Sequence, residues 1–378
     1  MRHLALLLRP ARLTVLVVLL ALMSGATTAA ASVHVGPAST APHGTTAAPG
    51  TTPATASFLW HTLPLENGWT SASTKSLPTG TPAWAIRDGV VYLRGAIKQP
   101  TSGSEIFAQL PSFAWPTHNT YLTVYTSTDV PGILFVSTSG VMWAYNGNSA
   151  TFTSLAGVSY LTKTVKSSAL SLENGWQSSQ STYDTGNPSY VVGDGVVYLS
   201  GSMHTAGTSR LAFVLPKAAR PATGMYISVY TFDGTTGWLH IQSTGQVYAN
   251  GLDAGDYTNL ASIAFPVATT KWHKIPLTAG WKSAASVLPS ATPEYAVING
   301  IVYLNGSMHQ PVSGTGLWTF IPAAARTTGD ELNFEVYTTK GSTGSVDMTN
   351  SLGLVGSVPF SNARAFTSLA GIAYPPGS

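Results

Sequence analysis

The chain has 378 residues, 44% of them hydrophobic and only 9% charged, with no cysteine. Its 18 basic residues exceed the 15 acidic ones only because Arg2, Arg9 and Arg12 sit at the N-terminus; beyond residue 31 the formal charges balance. A neutral chain lacks the clustered positive face of a nucleic-acid binder, and a cysteine-free chain has no disulfide, thiol nucleophile, thiolate metal site or cysteine to acylate.

From those arginines the chain runs through an apolar segment, 13–23, to the small residues Ala29-Ala30-Ala31. This is the order of a secretory signal peptide, residues 1–31, cleaved after Ala31. The apolar segment falls short of the roughly 20 residues a membrane span needs. The sequence therefore predicts a secreted, extracellular product with no stable membrane insertion after cleavage. Residues 32–57 are mostly Ala, Thr, Pro, Gly and Ser, with almost nothing to bury, and read as a flexible linker.

After the linker the chain repeats itself three times. Leu65-Glu66-Asn67-Gly68-Trp69 returns as Leu172-Glu173-Asn174-Gly175-Trp176, then as Leu277-Thr278-Ala279-Gly280-Trp281. Each copy continues to a second landmark: Asp88-Gly89-Val90-Val91-Tyr92-Leu93, Asp194-Gly195-Val196-Val197-Tyr198-Leu199 and Asn299-Gly300-Ile301-Val302-Tyr303-Leu304. A period near 105 residues is far longer than solenoid or propeller repeats of roughly 20–50 residues and matches a domain. The copies are placed at 58–164, 165–270 and 271–378.

Within each copy the apolar pattern alternates, Val, Ile, Tyr and Thr are frequent, and no stretch shows a 3.6-residue period. One strand begins at Pro82-Ala83-Trp84, Pro188-Ser189-Tyr190 or Pro293-Glu294-Tyr295 and turns back at Asp88-Gly89, Asp194-Gly195 or Asn299-Gly300. Asp-Gly and Asn-Gly suit a type I′ hairpin, where both central residues need positive φ. The return strand ends at Gly95, Gly201 or Gly306. Further strands are expected in copy one over 105–110, 121–126, 133–138, 141–146 and 154–160, with counterparts in the other copies. About eight short strands per copy indicate an all-β fold: three tandem antiparallel β-sandwich, or flattened-barrel, domains.

The ordered string of Gly-Trp, Pro-x-aromatic, Gly-x-Val-x-Leu-x-Gly, Leu-Pro, a Gly-turned hairpin and Leu-x-Gly is similar to a β-domain of bacteriophage tail receptor-binding and host-attachment proteins, with relatives in secreted bacterial proteins. The resemblance covers all three copies. It is clearest from Gly175-Trp176 to Leu215-Pro216 with Arg220-Pro221, where copies one and three have Trp115-Pro116 and Arg326-Thr327. What it implies is a β-sandwich that recognises or displays rather than catalyses; it supplies no ligand-binding residues. The signal peptide departs from the phage setting, where tail parts assemble inside the host, and points to an exported bacterial-type protein.

Residue chemistry agrees with recognition. Glycoside cleavage needs two carboxylates at a defined separation, but Glu66 and Glu173 face Thr278 in copy three, and Asp88 and Asp194 face Asn299 as turn residues. The pairs Asp253/Asp256 and Asp330/Glu331 occur once each and read as solvated loop charges. Histidines show no metal spacing, and no glycine-rich phosphate loop occurs, so no catalytic residue, metal site or cofactor is assigned.

Trp69, Trp176, Trp281, Tyr92, Tyr198 and Tyr303 recur and read as core. Aromatics that do not recur are not required by the shared fold. Trp115, Trp143, Tyr145, Tyr183, Trp238 and Tyr257 are therefore the candidate ligand-binding residues, suited to stacking on sugar faces.

The sequence thus predicts a secreted, non-enzymatic, multivalent binding or adhesion protein. Its expected partner is a cell-surface or extracellular polymer, with a glycan favoured, and homo-oligomerisation is left open. The rival expectations are a secreted polysaccharide-acting hydrolase and a self-associating coat or matrix protein.

Overall fold

The computed structural model describes residues 58–101, 103–261, 263–311, 314–327, 330–349, 354–358 and 360–376. The expected signal peptide and linker lie outside the described residues. The fold is all-β: among the described residues each copy has eleven strands, and the α-helices are two short ones, Gln180–Tyr183 and Phe360–Ala365.

Copy one shows the plan. Its strands are β1 (His61–Thr62), β2 (Thr70–Ser71), β3 (Ala83–Arg87), β4 (Val90–Arg94), β5 (Ala96–Lys98), β6 (Ile106–Gln109), β7 (Thr120–Tyr125), β8 (Pro131–Val136), β9 (Val141–Tyr145), β10 (Thr153–Ser154) and β11 (Ser159–Leu161). They form three antiparallel sheets, ordered β1-β3-β4-β11, β10-β5-β2 and β6-β9-β8-β7. Copies two and three repeat these sheets with their own strands, and every named strand pairs within its own copy.

The hairpin turns have the predicted backbone: φ is 51° and 77° at Asp88-Gly89, 49° and 83° at Asp194-Gly195, and 49° and 71° at Asn299-Gly300. Gly95 (φ 85°) is the corner where the chain leaves the first sheet for the second. A Cβ there would lie 2.8 Å from Pro82 backbone atoms, so glycine is required. The single strand expected over 154–160 is two strands in different sheets. Gly157, at φ 77°, breaks the extended run between them.

Each copy has its own core between the sheets. In copy one, Trp69, Trp84, Leu93, Phe107, Leu122, Leu134 and Met142 belong to one buried cluster, and copies two and three repeat it around Trp176 and Trp281. The strand β7 alternates buried and half-buried residues, sending Leu122 and Val124 inward and Tyr121, Thr123 and Tyr125 outward.

The copies are not beads on a string. Together they form one compact unit in which each copy packs against both others. Strand β7 and its counterparts Met225–Tyr230 and Leu332–Tyr337 pack against one another in every pairing. A separate buried cluster joins Val90 and Tyr92, Val196, and Ile301 and Tyr303 from the three hairpins.

Candidate functional site

The recurring aromatics divide into two roles. Trp69, Trp176 and Trp281 are 4%, 5% and 4% exposed, and each indole N–H donates to a backbone carbonyl, that of Ser104 (2.9 Å), Ser209 (2.9 Å) or Thr315 (3.0 Å). They hold their own copies together, and deleting one large buried ring costs about 3–5 kcal/mol. The tyrosines do something else. Tyr92, Tyr198 and Tyr303 meet where the copies meet, with Tyr198 Oη 3.2 Å from Tyr92 Oη and 3.3 Å from Tyr303 Oη. Burial, reinforced by the neighbouring tyrosines, raises the Tyr92 and Tyr303 phenols far above their ordinary range.

The six aromatics singled out by their failure to recur also divide. Trp115 has a structural explanation that corrects the premise. Its Nε1 donates to the Leu110 carbonyl at 2.7 Å, as Arg220 Nε does to Leu215 (3.0 Å) and Arg326 Nε to Ile321 (2.9 Å). An indole and two guanidinium groups perform one task, so a change of residue type is not a change of role. Lys163 covers the indole, its Nζ 4.9 Å from the ring.

Tyr257, only 2% exposed, and half-buried Tyr183 fill the boundary between copies one and two. Their rings are 4.8 Å apart, and Tyr257 packs against both Tyr121 of copy one and Tyr230. Trp238 is half-buried across the next boundary, stacked 5.0 Å from Tyr337 of copy three. These three are packing residues at boundaries between copies. Their roles were invisible while the copies were read as separate units.

Trp143 and Tyr145 do lie together, on the outward face of the sheet β6-β9-β8-β7. Strand register places Trp143 opposite Phe135, and Phe135 opposite Tyr121. The three rings make a row across the sheet, with centroids 4.9 Å and 4.7 Å apart. All are half-buried, and Tyr145 lies one register step away, opposite Ile133. Copy two has the equivalent row Tyr226, His240 and Tyr248, with centroids 4.5 Å and 5.9 Å apart and nearly parallel rings. Burial lowers the His240 pKa, which keeps the ring neutral for stacking. In copy three the register places Asn333 opposite Asp347 and Glu335 opposite Ser345. Two faces are thus aromatic and one is polar.

Sequence reasoning missed Tyr121, Phe135, Tyr226, His240 and Tyr248. The alternation in Thr120–Tyr125 and Met225–Tyr230 was the available signal, because it sends every second residue to the face opposite the core.

Acidic groups are scattered. Asp330 and Glu331, expected as solvated loop charges, instead lie half-buried where copy three meets copy one. Burial raises both carboxyls; Arg94 draws Asp330 back, and Asp347 raises Glu331 further. Among the described residues no three His, Cys, Asp or Glu side chains group as metal ligands, and no helix is long and apolar enough to cross a membrane. No family model matches the chain, and no significant match was found among curated proteins or solved structures.

Proposed function

We propose that this is an exported, non-enzymatic protein that binds a neutral surface or extracellular glycan through the aromatic faces of its first two copies. The observation that carries this reading is the Tyr121–Phe135–Trp143 row. Its half-buried rings lie next to one another on the sheet face opposite the core of copy one, Tyr121 also stacking on Tyr230 of copy two, in a chain that is only 9% charged. Flat aromatic surfaces stack on the apolar C–H faces of sugars, while nearby hydroxyls supply hydrogen bonds. The resemblance to phage receptor-binding domains favours recognition for the same modules. Neither Glu66 and Glu173 nor Asp88 and Asp194 has an acidic counterpart in copy three, so the threefold repetition does not multiply a catalytic pair. Two such faces held in one body raise retention on a polymer through effective concentration.

The test is retention of the mature protein on insoluble polysaccharides, compared with Trp143→Ala, Tyr248→Ala and the double variant. Each single change is expected to lower retention and the double change to lower it far more, with little salt dependence because exposed charges contribute little. Undiminished retention in the double variant would exclude the aromatic faces. Time-dependent shortening of the polymer would indicate a hydrolase, and self-association without polymer a coat protein.

A further inference from the structure

The boundaries between copies use equivalent positions filled by different side chains. The β3-β4 hairpin places Ala83 opposite Arg94, and its counterparts place Ser189 opposite Ser200 and Glu294 opposite Asn305. His118 stands two residues before strand β7, and Thr223 and Asp330 stand two residues before its counterparts. At two boundaries these positions are bridged. Asn305 Nδ2 of copy three donates to Glu294 Oε1 at 2.9 Å and reaches Thr223 Oγ1 of copy two at 3.4 Å. Half-buried Arg94 of copy one attracts half-buried Asp330 of copy three. Between copies one and two the pair is His118 and Ser200, and a serine is too short to bridge. Its Oγ lies 2.7 Å from Ser189 Oγ instead. Ser200 and His118 both line a cavity of about 330 Å³ between these copies, within the range of small-molecule sites.

The lining is polar without being charged. Among the described residues that line the cavity none is Lys, Arg, Asp or Glu. Several hydroxyl protons are already committed to the protein. Thr120 Oγ1 donates to the His118 carbonyl at 3.1 Å and Thr162 Oγ1 to that of Gly89 at 3.0 Å, while Ser189 and Ser200 share one between them. A hydroxyl that donates in this way keeps lone pairs for a guest, so this wall accepts hydrogen bonds. Gln180 and Asn187 add side-chain amides, which donate as well as accept. Pro116, Leu161 and Val165 give the same cavity an apolar patch.

We propose that this recess between copies one and two binds one neutral pyranose ring, with its hydroxyls donating to Thr120, Thr162 and the Ser189–Ser200 pair and its C–H face on Pro116 and Leu161. An anion fits less well, because the wall turns oxygen lone pairs toward it and His118 Nδ1 already faces Asp184 at 4.0 Å. An apolar guest would leave the hydroxyls and amides unsatisfied. The sugar class follows from this lining, and the site is separate from the aromatic faces.

The experiment is calorimetric titration of the mature protein with glucose, galactose, mannose and N-acetylglucosamine, and with glucuronate as the charged counterpart of glucose. At least one neutral sugar should bind weakly at one site, and glucuronate should bind no better than glucose. Ser200→Asn gives copy two the bridging residue of copy three; it should abolish the binding, with a melting temperature at or above that of the wild type showing that it folds. Should that variant fail to fold, Gln180→Ala serves instead, with an expected loss of roughly fivefold in affinity from one hydrogen bond. Affinity unchanged in these variants, tighter binding of glucuronate than of glucose, or no binding of any of the four neutral sugars would overturn the proposal. Retention on insoluble polysaccharide, measured in parallel, separates the two sites: retention without any titrating sugar excludes the recess and leaves the aromatic faces standing.

Discussion

Tyr198 Oη lies 3.2 Å from Tyr92 Oη although 106 residues separate them. A long-range contact of this kind, extended to Tyr303, turns three tandem copies into one body. Around it Val90, Val196 and Ile301 bury their side chains against one another rather than within their own copies. Each copy therefore owns a core but not all of its stability.

The consequence for dissection is direct. Residues 165–270 alone retain a complete set of strands and the Trp176 core. They would also expose Val196, Tyr198, Tyr226 and Ile227, which the neighbouring copies cover in the intact chain. Exposed apolar patches of this kind drive association. The isolated copy is expected to fold and to self-associate, with three molecules restoring the arrangement of the intact chain. Sedimentation equilibrium across a dilution series checks this, and a stable monomer at all concentrations would show that the contacts between copies contribute little.

Ala279 offers a second check. Asn67 and Asn174 occupy left-handed turns at φ 53° and 52°, and their Nδ2 atoms donate to the carbonyls of Ile106 and Leu211, both at 3.0 Å. Ala279 holds φ 50° with no side chain able to do so. Asparagine tolerates this conformation better than alanine and would reach the equivalent carbonyl, that of Leu317. Ala279→Asn is expected to stabilise the protein by about 1 kcal/mol, read as a raised denaturation midpoint at unchanged slope.

His240 sets a pH dependence. Burial holds its folded pKa below the ordinary value of 6.5, so below that pH the unfolded chain binds more protons. Stability from this residue is complete above pH 6.5 and is lost as pH falls from there toward the folded value. The half-buried carboxyls Glu294, Asp330 and Glu331 have raised pKa values and act oppositely, losing stability as pH rises through their folded values. Comparing wild type with His240→Phe isolates the histidine. The variant keeps a ring between Tyr226 and Tyr248, and the loss of stability just below pH 6.5 should be smaller in it. Identical pH profiles would mean that His240 titrates normally.

Local physics made much of the fold legible in sequence. Asp-Gly and Asn-Gly fixed the hairpin turns because few residues accept two successive positive φ values. The recurring Gly-Trp marked each core because one large ring with one donor needs one buried place. Alternation gave the strands, and the run over 154–160 was misread because a single glycine, Gly157, was enough to divide it between sheets. The candidate site was less legible, for a physical reason. A residue's task depends on what stands opposite it, and opposite Tyr183, Trp238 and Tyr257 stand rings from another copy. Trp115 and Arg220 look unrelated as letters yet donate to equivalent carbonyls. The sequence by itself determined three like β-modules with their turns and cores. Only the tertiary structure decided that each copy packs against both others, and that the sheet faces opposite the cores are aromatic in two copies and polar in the third. Those relations depend on distances between residues about a hundred positions apart, which packing between copies sets and local pattern does not carry.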